Sequence, residues 1–178
     1  MKSSPTIGKK SDSPIPDQAV MDLMKPGPEH AELAKSIGTW KVAYTQWMKE
    51  GAEATKATGK SIFTKLFDGR FRREEFTGDL HGKPFTGIGT MGFDRAANRF
   101  VNTWYDSMGT GITSTTGTIS VNGKDLVMRG TMTCPIKGEM HVRHVYGHES
   151  NDKFTLTMFC EHDGKENKSM ELVYTRQN

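Results

Sequence analysis

Cysteine is scarce in this chain of 178 residues, and its scarcity excludes two classes of small protein. Only Cys134 and Cys160 occur, without the close spacing of a zinc cluster and without a disulfide framework. Residues 1–10 contain no apolar stretch of the kind that a secretory signal needs. These features favour a reducing, cytoplasmic compartment.

Long apolar runs and clustered charges are also missing. No stretch approaches the roughly 18 consecutive apolar residues that a membrane-spanning helix needs, so we do not expect membrane insertion. The formal net charge of +3 comes from 24 basic and 21 acidic residues that are spread along the chain. Because binding to a phosphate backbone needs a clustered basic surface, nucleic acid is not an expected partner.

The first part of the chain differs in composition from the rest. Serine, lysine, proline and aspartate dominate up to about residue 16, and few apolar side chains accompany them. Such a segment cannot bury enough surface to offset the entropy that ordering would cost. We therefore interpret residues 1–25 as a disordered arm and residues 26–178 as one domain.

Hydrophobic periodicity predicts the architecture of that domain. Apolar residues at helical spacing predict one short amphipathic helix over 29–37, and from Gly38 onwards the period changes to 2. Asn-Gly and Asp-Gly pairs then favour tight hairpins between neighbouring strands. The predicted strands are 38–48, 54–67, 70–80, 84–93, 99–107, 110–121, 124–134, 138–149, 153–162 and 166–176. Because closure removes the exposed edges of such a sheet, we predict an all-β fold, a single antiparallel up-and-down β-barrel of about ten strands.

Two short motifs at the ends of the predicted barrel resemble the lipocalin and calycin arrangement. Gly38-Thr39-Trp40 follows the helix and opens the first strand, and Tyr174-Thr175-Arg176 ends the last strand. The resemblance implies that Trp40 plugs the closed end of the barrel and that Arg176 packs across its indole in a cation–π contact. It also implies that the helix covers this end.

A longer pattern extends over nearly the whole chain after residue 29. It comprises FTGIG at 85–89, GFD at 92–94, FVNTWYDS at 100–107 and MELVYTR at 170–176. In order and spacing it resembles a bacterial domain-of-unknown-function family, numbered 1579, with a calycin-like barrel. The resemblance implies a fold and supplies no catalytic residues.

Strand alternation brings polar and aromatic side chains to the predicted inner faces. Trp104 and Asp106 share a face, and Asp106 serves equally well as the cap of the turn that follows it. Arg72 is placed inward in preference to its neighbours. The residues proposed to line a cavity are Tyr44, Arg72, Trp104, Asp106, His144, Tyr146 and Tyr174. Their mixture suits an amphipathic small molecule, which is our leading hypothesis for the ligand.

Other functions stay open at this point. A haem protein would use His144 or His148 as its axial ligand. A small-substrate enzyme would use Asp106, Glu74 or Glu161 as acid or base, although no spacing rule supports it. In a solid interaction module, the N-terminal arm would dock a partner. A metal site is not expected, because a strand sends His141 and His144 to opposite faces. The protein is expected to be a monomer or a homodimer.

Overall fold

The computed structural model describes residues 17–48, 51–121, 123–162 and 164–177. Two short helices come first, α1 (Gln18–Leu23) and α2 (Pro28–Ala34). Ten strands follow: β1 (Gly38–Gln46), β2 (Thr55–Leu66), β3 (Phe71–Leu80), β4 (Lys83–Asp94), β5 (Arg99–Asp106), β6 (Thr113–Ile119), β7 (Asp125–Cys134), β8 (Gly138–Ser150), β9 (Lys153–His162) and β10 (Lys165–Arg176).

The ten strands form one closed antiparallel barrel. Each strand pairs with its neighbours in the chain, and β1 pairs with β10, so that Trp40 lies opposite Arg176. The predicted fold class is therefore confirmed. Strand limits agree with the sequence analysis to within a few residues, and β6 is the most shortened, at 113–119 instead of 110–121.

The helical region differs from the prediction of one helix over 29–37. Pro28 begins α2, and the Nδ1 atom of His30 accepts a hydrogen bond from the Gly27 N–H at 2.9 Å. The helix ends at Ala34 because the chain then turns into β1, and the Ser36 hydroxyl donates to the Leu33 carbonyl at 2.8 Å. The helix is thus shorter than its hydrophobic spacing suggested.

The helix that was not predicted, α1, lies in the segment that we assigned to the N-terminal arm. It begins after Asp17, whose carboxylate accepts a hydrogen bond from the Ala19 N–H at 3.3 Å. All of its residues are exposed, and Arg95 donates to the Asp22 carbonyl nearby. The predicted arm therefore contains a short helix within 17–25, and its residues 1–16 lie outside the described residues.

One end of the barrel is covered by α2 and by the segment that links it to β1. Leu33 of α2 joins a buried cluster with Met91, Phe100 and Met128. Next to it, the Trp40 indole donates to the Ser36 carbonyl at 2.8 Å. We call this the closed end. In the part of the chain that the structure describes, no helix is both long and apolar enough to cross a bilayer.

Arg176 fastens the end of β10 to this closed end. Its guanidinium lies 4.3 Å from the centre of the Trp40 ring and donates to the carbonyls of Ile37 and Lys35, at 2.8 Å and 2.6 Å. It also forms an ion pair with Asp152 at 3.0 Å. The contact that the lipocalin resemblance implied between Arg176 and Trp40 is present.

Candidate functional site: the barrel lumen

Several inward-facing side chains of the barrel keep part of their surface accessible. Glu74, Asn102, Trp104, Tyr146 and Met158 belong to the inward-facing positions of their strands, yet each keeps part of its surface accessible. Glu74 and Tyr146 do so although protein surrounds them deeply. A densely packed interior leaves deep side chains little accessible surface. We call the space between them the lumen.

Two glycines determine where the indole of Trp104 lies in this lumen. A Cβ atom on Gly87 would be 2.2 Å from the indole, and one on Gly89 would be 3.2 Å from it. The indole therefore lies flat against β4, in space that only glycine leaves free. Its other face forms an aromatic wall of the lumen. Glycine at these two positions thus permits the close approach of an aromatic neighbour.

Asp106 holds this indole and also caps a turn. Its Oδ2 atom accepts from Trp104 Nε1 at 2.9 Å, and its Oδ1 atom accepts from the Met108 N–H at 2.9 Å. Asp106 thus caps the turn, as one of the two interpretations that the sequence left open proposes, and it also binds the indole. Since both oxygens are engaged, Asp106 positions the aromatic wall.

A group of polar side chains lies deep in the lumen, towards the closed end. Its members are Ser61, Arg72, Glu74, Tyr146 and Tyr174, and we call it the polar floor. Glu74 Oε1 accepts from the Ser61 hydroxyl at 2.7 Å and from the Tyr174 hydroxyl at 3.1 Å. Burial raises the pKa of Glu74, although Arg72 and both hydroxyls act to lower it.

The two tyrosines of the polar floor interact electrostatically with the same two residues, Arg72 and Glu74. Burial raises the pKa of Tyr146, and Arg72 and Glu74 are its electrostatic neighbours. Burial likewise raises the pKa of Tyr174, with Glu74 and Tyr146 nearby. Both phenols therefore stay protonated at neutral pH, and the Tyr174 hydroxyl donates a hydrogen bond to Glu74.

Three of the predicted cavity residues, Arg72, Tyr146 and Tyr174, are thus brought together in the polar floor. Ser61 and its hydrogen bond to Glu74 were missed by the sequence analysis. The signal was present, because Ser61 has the same parity on β2 as the buried Phe63. Its partner on the next strand depends on the register between strands, where Ser61 lies opposite Phe76.

His144 lies elsewhere on the inner face, between Met128 and Met158 on the neighbouring strands. Its side chain is buried, and its Nδ1 atom has no hydrogen-bond partner. Burial lowers the pKa of His144 from 6.5 to about 4, so the imidazole is neutral at pH 7. By contrast, His148, the other residue considered as a haem ligand, is exposed.

Tyr44 lies closer to the opposite end of the barrel and also faces inward. It is buried, and its hydroxyl has no hydrogen-bond partner. Burial and the neighbouring charge of Asp79 raise the pKa of Tyr44. Thr115, on the other side of the barrel, has an unpartnered buried hydroxyl as well. The lumen wall therefore contains polar atoms that the protein itself does not satisfy.

The end of the barrel opposite α2 carries exposed apolar side chains on its loops. Met48 follows β1, Met108 and Ile112 lie between β5 and β6, and Ile136 lies between β7 and β8. We call these four residues the apolar rim. Both described helices lie at the other end, so neither of them covers the apolar rim.

Comparison with protein-family models identifies the family of this chain. A family model described as "Protein of unknown function (DUF1579)" matches residues 25–176. The chain belongs to this family. That assignment agrees with the resemblance found in the sequence, and a comparison with curated proteins finds no match.

Solved structures with similar folds accompany the DUF1579 assignment. The crystal structure of Rv2717c from M. tuberculosis superposes with a TM-score of 0.64 at 14% identity, over 86% of this chain and 100% of that one. At this identity the likeness shows a shared fold. A redesigned β-barrel, b11L5F_LGL, gives a TM-score of 0.44 at 17% identity over 82% and 95% of the two chains. EF1p2_mFAP2b bound to DFHBI gives 0.43 at 16%, over 83% and 97%.

The outer surface of this DUF1579 barrel has a shallow groove of about 500 Å³ along β7 and β8. Within it, Arg143 binds Glu166 with two hydrogen bonds and stacks 3.9 Å from the centre of the Phe159 ring. Glu161, a candidate acid in the sequence analysis, lines this outer groove. Within the ranges that the structure describes, no three His, Cys, Asp or Glu side chains are grouped to hold a metal ion.

Proposed function

We propose that this DUF1579 protein binds a small amphipathic molecule in the lumen of its barrel. The observation that carries the proposal is the accessible surface that deep, inward-facing residues retain, above all Glu74, Trp104 and Tyr146. A space that side chains leave open inside a closed barrel is the usual form of a small-molecule site. Both cysteines are free thiols, which agrees with the cytoplasmic location that we also propose.

The distribution of polarity along the lumen supports an amphipathic ligand. Hydrogen-bonding and charged groups are concentrated in the polar floor, next to the closed end. Towards the other end, the indole of Trp104 and the side chains of Met158 and Leu172 offer apolar surface, and the apolar rim continues it outward. A ligand with a polar head and an apolar body would match both regions in one orientation.

The proposal is tested by a substitution that places a larger side chain in the lumen, followed by a measurement of how tightly an uncharged probe binds. Met158→Trp enlarges a side chain on the inner face, whereas Thr157→Trp places the same group on the outer face and serves as the matched control. We expect N-phenyl-1-naphthylamine to bind the wild type and Thr157→Trp with one saturable site, seen as enhanced probe fluorescence. We expect Met158→Trp to lose about ten-fold or more in affinity.

Two results would refute the lumen as the binding site. One is the absence of saturable probe binding to a folded wild-type protein. The other is equal affinity for the wild type and a folded Met158→Trp variant. Circular dichroism of both variants establishes that they are folded before either result is used.

His144 gives one specific reason to test haem as a second candidate ligand. A buried, neutral imidazole with an unpartnered Nδ1 atom is a chemically suitable axial ligand for iron. If haem is the ligand, hemin titration will give a shifted Soret band, and His144→Ala will abolish the shift while the outer-surface variant His141→Ala retains it. An unshifted Soret band with the wild type would show that haem is not the ligand.

A further inference from the structure

Arg72 of the polar floor is a buried cation whose direct partners carry no charge. Only 8% of its surface is exposed. One terminal nitrogen donates to the Ser36 hydroxyl at 2.9 Å, and the other contacts the Met91 sulfur at 3.7 Å. The guanidinium lies 4.5 Å from the centre of the Phe63 ring. Its Nε atom has no hydrogen-bond partner at all.

Such an environment leaves most of the desolvation cost of the guanidinium uncompensated. A hydroxyl, a thioether and an aromatic ring are weak substitutes for a carboxylate, and an arginine is protonated at any working pH. The nearest acidic group, Glu74, has Oε1 occupied by Ser61 and Tyr174. Burial also shifts Glu74 towards its uncharged form, which weakens it as a counter-ion.

From this geometry we infer that the polar floor binds the carboxylate group of the ligand, with Arg72 as its counter-charge. The inference rests on the proposed function and specifies the head of the amphipathic molecule. Arg72 has an unpartnered Nε donor, and the protonated phenol of Tyr146 is its electrostatic neighbour. Both are donors of the kind that a carboxylate accepts from.

Charge balance selects a monoanion over a phosphate monoester. Arg72 supplies one positive charge, whereas a phosphate monoester would bring up to two negative charges into the same desolvated space. Glu74 beside it would add repulsion whenever it ionised. The apolar body of the monoanion would then lie along the Trp104 indole and point to the apolar rim.

The test compares decanoate with 1-decanol, which has the same chain length and no charge. Calorimetric titrations use the wild-type protein, Arg72→Met and the outer-face control Arg143→Met. We expect the wild type and Arg143→Met to bind decanoate about ten-fold or more tightly than 1-decanol. We expect Arg72→Met to bind both compounds to within about three-fold of each other, because only the charged contact is removed.

The outcomes separate this inference from the function on which it rests. If the wild type binds both compounds equally, or if Arg72→Met keeps the preference for decanoate, the carboxylate assignment is overturned while lumen binding stands. If neither compound binds to folded wild type, the proposed function fails first. Should Arg72→Met not fold, Arg72→Gln replaces it with the same expectation, since a glutamine can still bond to Ser36.

Discussion

His144 allows a quantitative prediction about stability and pH. Its imidazole is 5% exposed, and burial lowers its pKa from 6.5 to about 4. As the pH falls through 6.5, the unfolded chain takes up a proton on this residue, whereas the folded barrel resists until about pH 4. The stability that neutral His144 provides is therefore complete above pH 6.5 and is lost as the pH falls towards 4.

The size of the effect follows from the two pKa values of His144. Each pH unit between them is worth about 1.4 kcal/mol, so the full loss at acid pH is about 3 kcal/mol. At pH 5 about 2 kcal/mol of this has been lost. His144→Leu removes the ionisable group and keeps an apolar side chain between Met128 and Met158.

Urea unfolding followed by circular dichroism, at pH 7.5 and at pH 5, measures this difference. The wild type should lose about 2 kcal/mol more free energy of unfolding over this interval than His144→Leu. Comparison with the variant is needed because Glu74 titrates with the opposite sign: its raised pKa makes the folded state gain a proton more readily than the unfolded chain. His148→Leu, at an exposed position of the same strand, should behave as the wild type. Parallel losses in wild type and His144→Leu would refute the assignment of His144 as a buried neutral group.

Three further substitutions, one of them with a matched control, test the closed end and the lumen wall. Arg176→Met should cost about 3 kcal/mol in urea unfolding, because a cation–π contact and charged hydrogen bonds are lost together; a cost below about 1 kcal/mol would contradict this. Gly87→Ala should cost about 1–3 kcal/mol and change the fluorescence of Trp104, since a Cβ would be 2.2 Å from the indole. Gly111→Ala, where a Cβ meets no atom within 4 Å, should leave both unchanged. Thr115→Val should raise the free energy of unfolding by about 1 kcal/mol, because it removes a buried hydroxyl without a partner; a loss of stability would show that the hydroxyl is satisfied.

The barrel could be predicted from the sequence because its two signals are local. Side chains alternate along every strand, and turn residues mark where each hairpin reverses the chain. The same alternation placed Arg72 and Tyr174 on the inner face. By contrast, the length of α2 depends on how its end meets β1, and the helical spacing up to Ile37 does not contain that information.

The contacts within the site could not be predicted in the same way. Ser61, Glu74 and Tyr174 come from three strands, and their hydrogen bonds depend on registers around a closed barrel. The position of the Trp104 indole depends on Gly87 of the neighbouring strand β4. In the strand register, Gly87 lies opposite Asp106, so the indole reaches it diagonally. Alternation tells which face a residue occupies, but it does not tell which neighbour it meets.

Unsatisfied polar atoms in the lumen wall argue for a function beyond stability. Tyr44, Arg72, Thr115 and His144 each bury a polar atom without a partner. Each such atom costs about 1–3 kcal/mol, and apolar residues of similar size would avoid the cost. A barrel selected for stability alone has no reason to retain these groups, whereas a binding site needs donors and acceptors that are free until the ligand arrives. Any ligand that binds only the folded barrel should stabilise it by about 2.7 kcal/mol at a hundred times its dissociation constant.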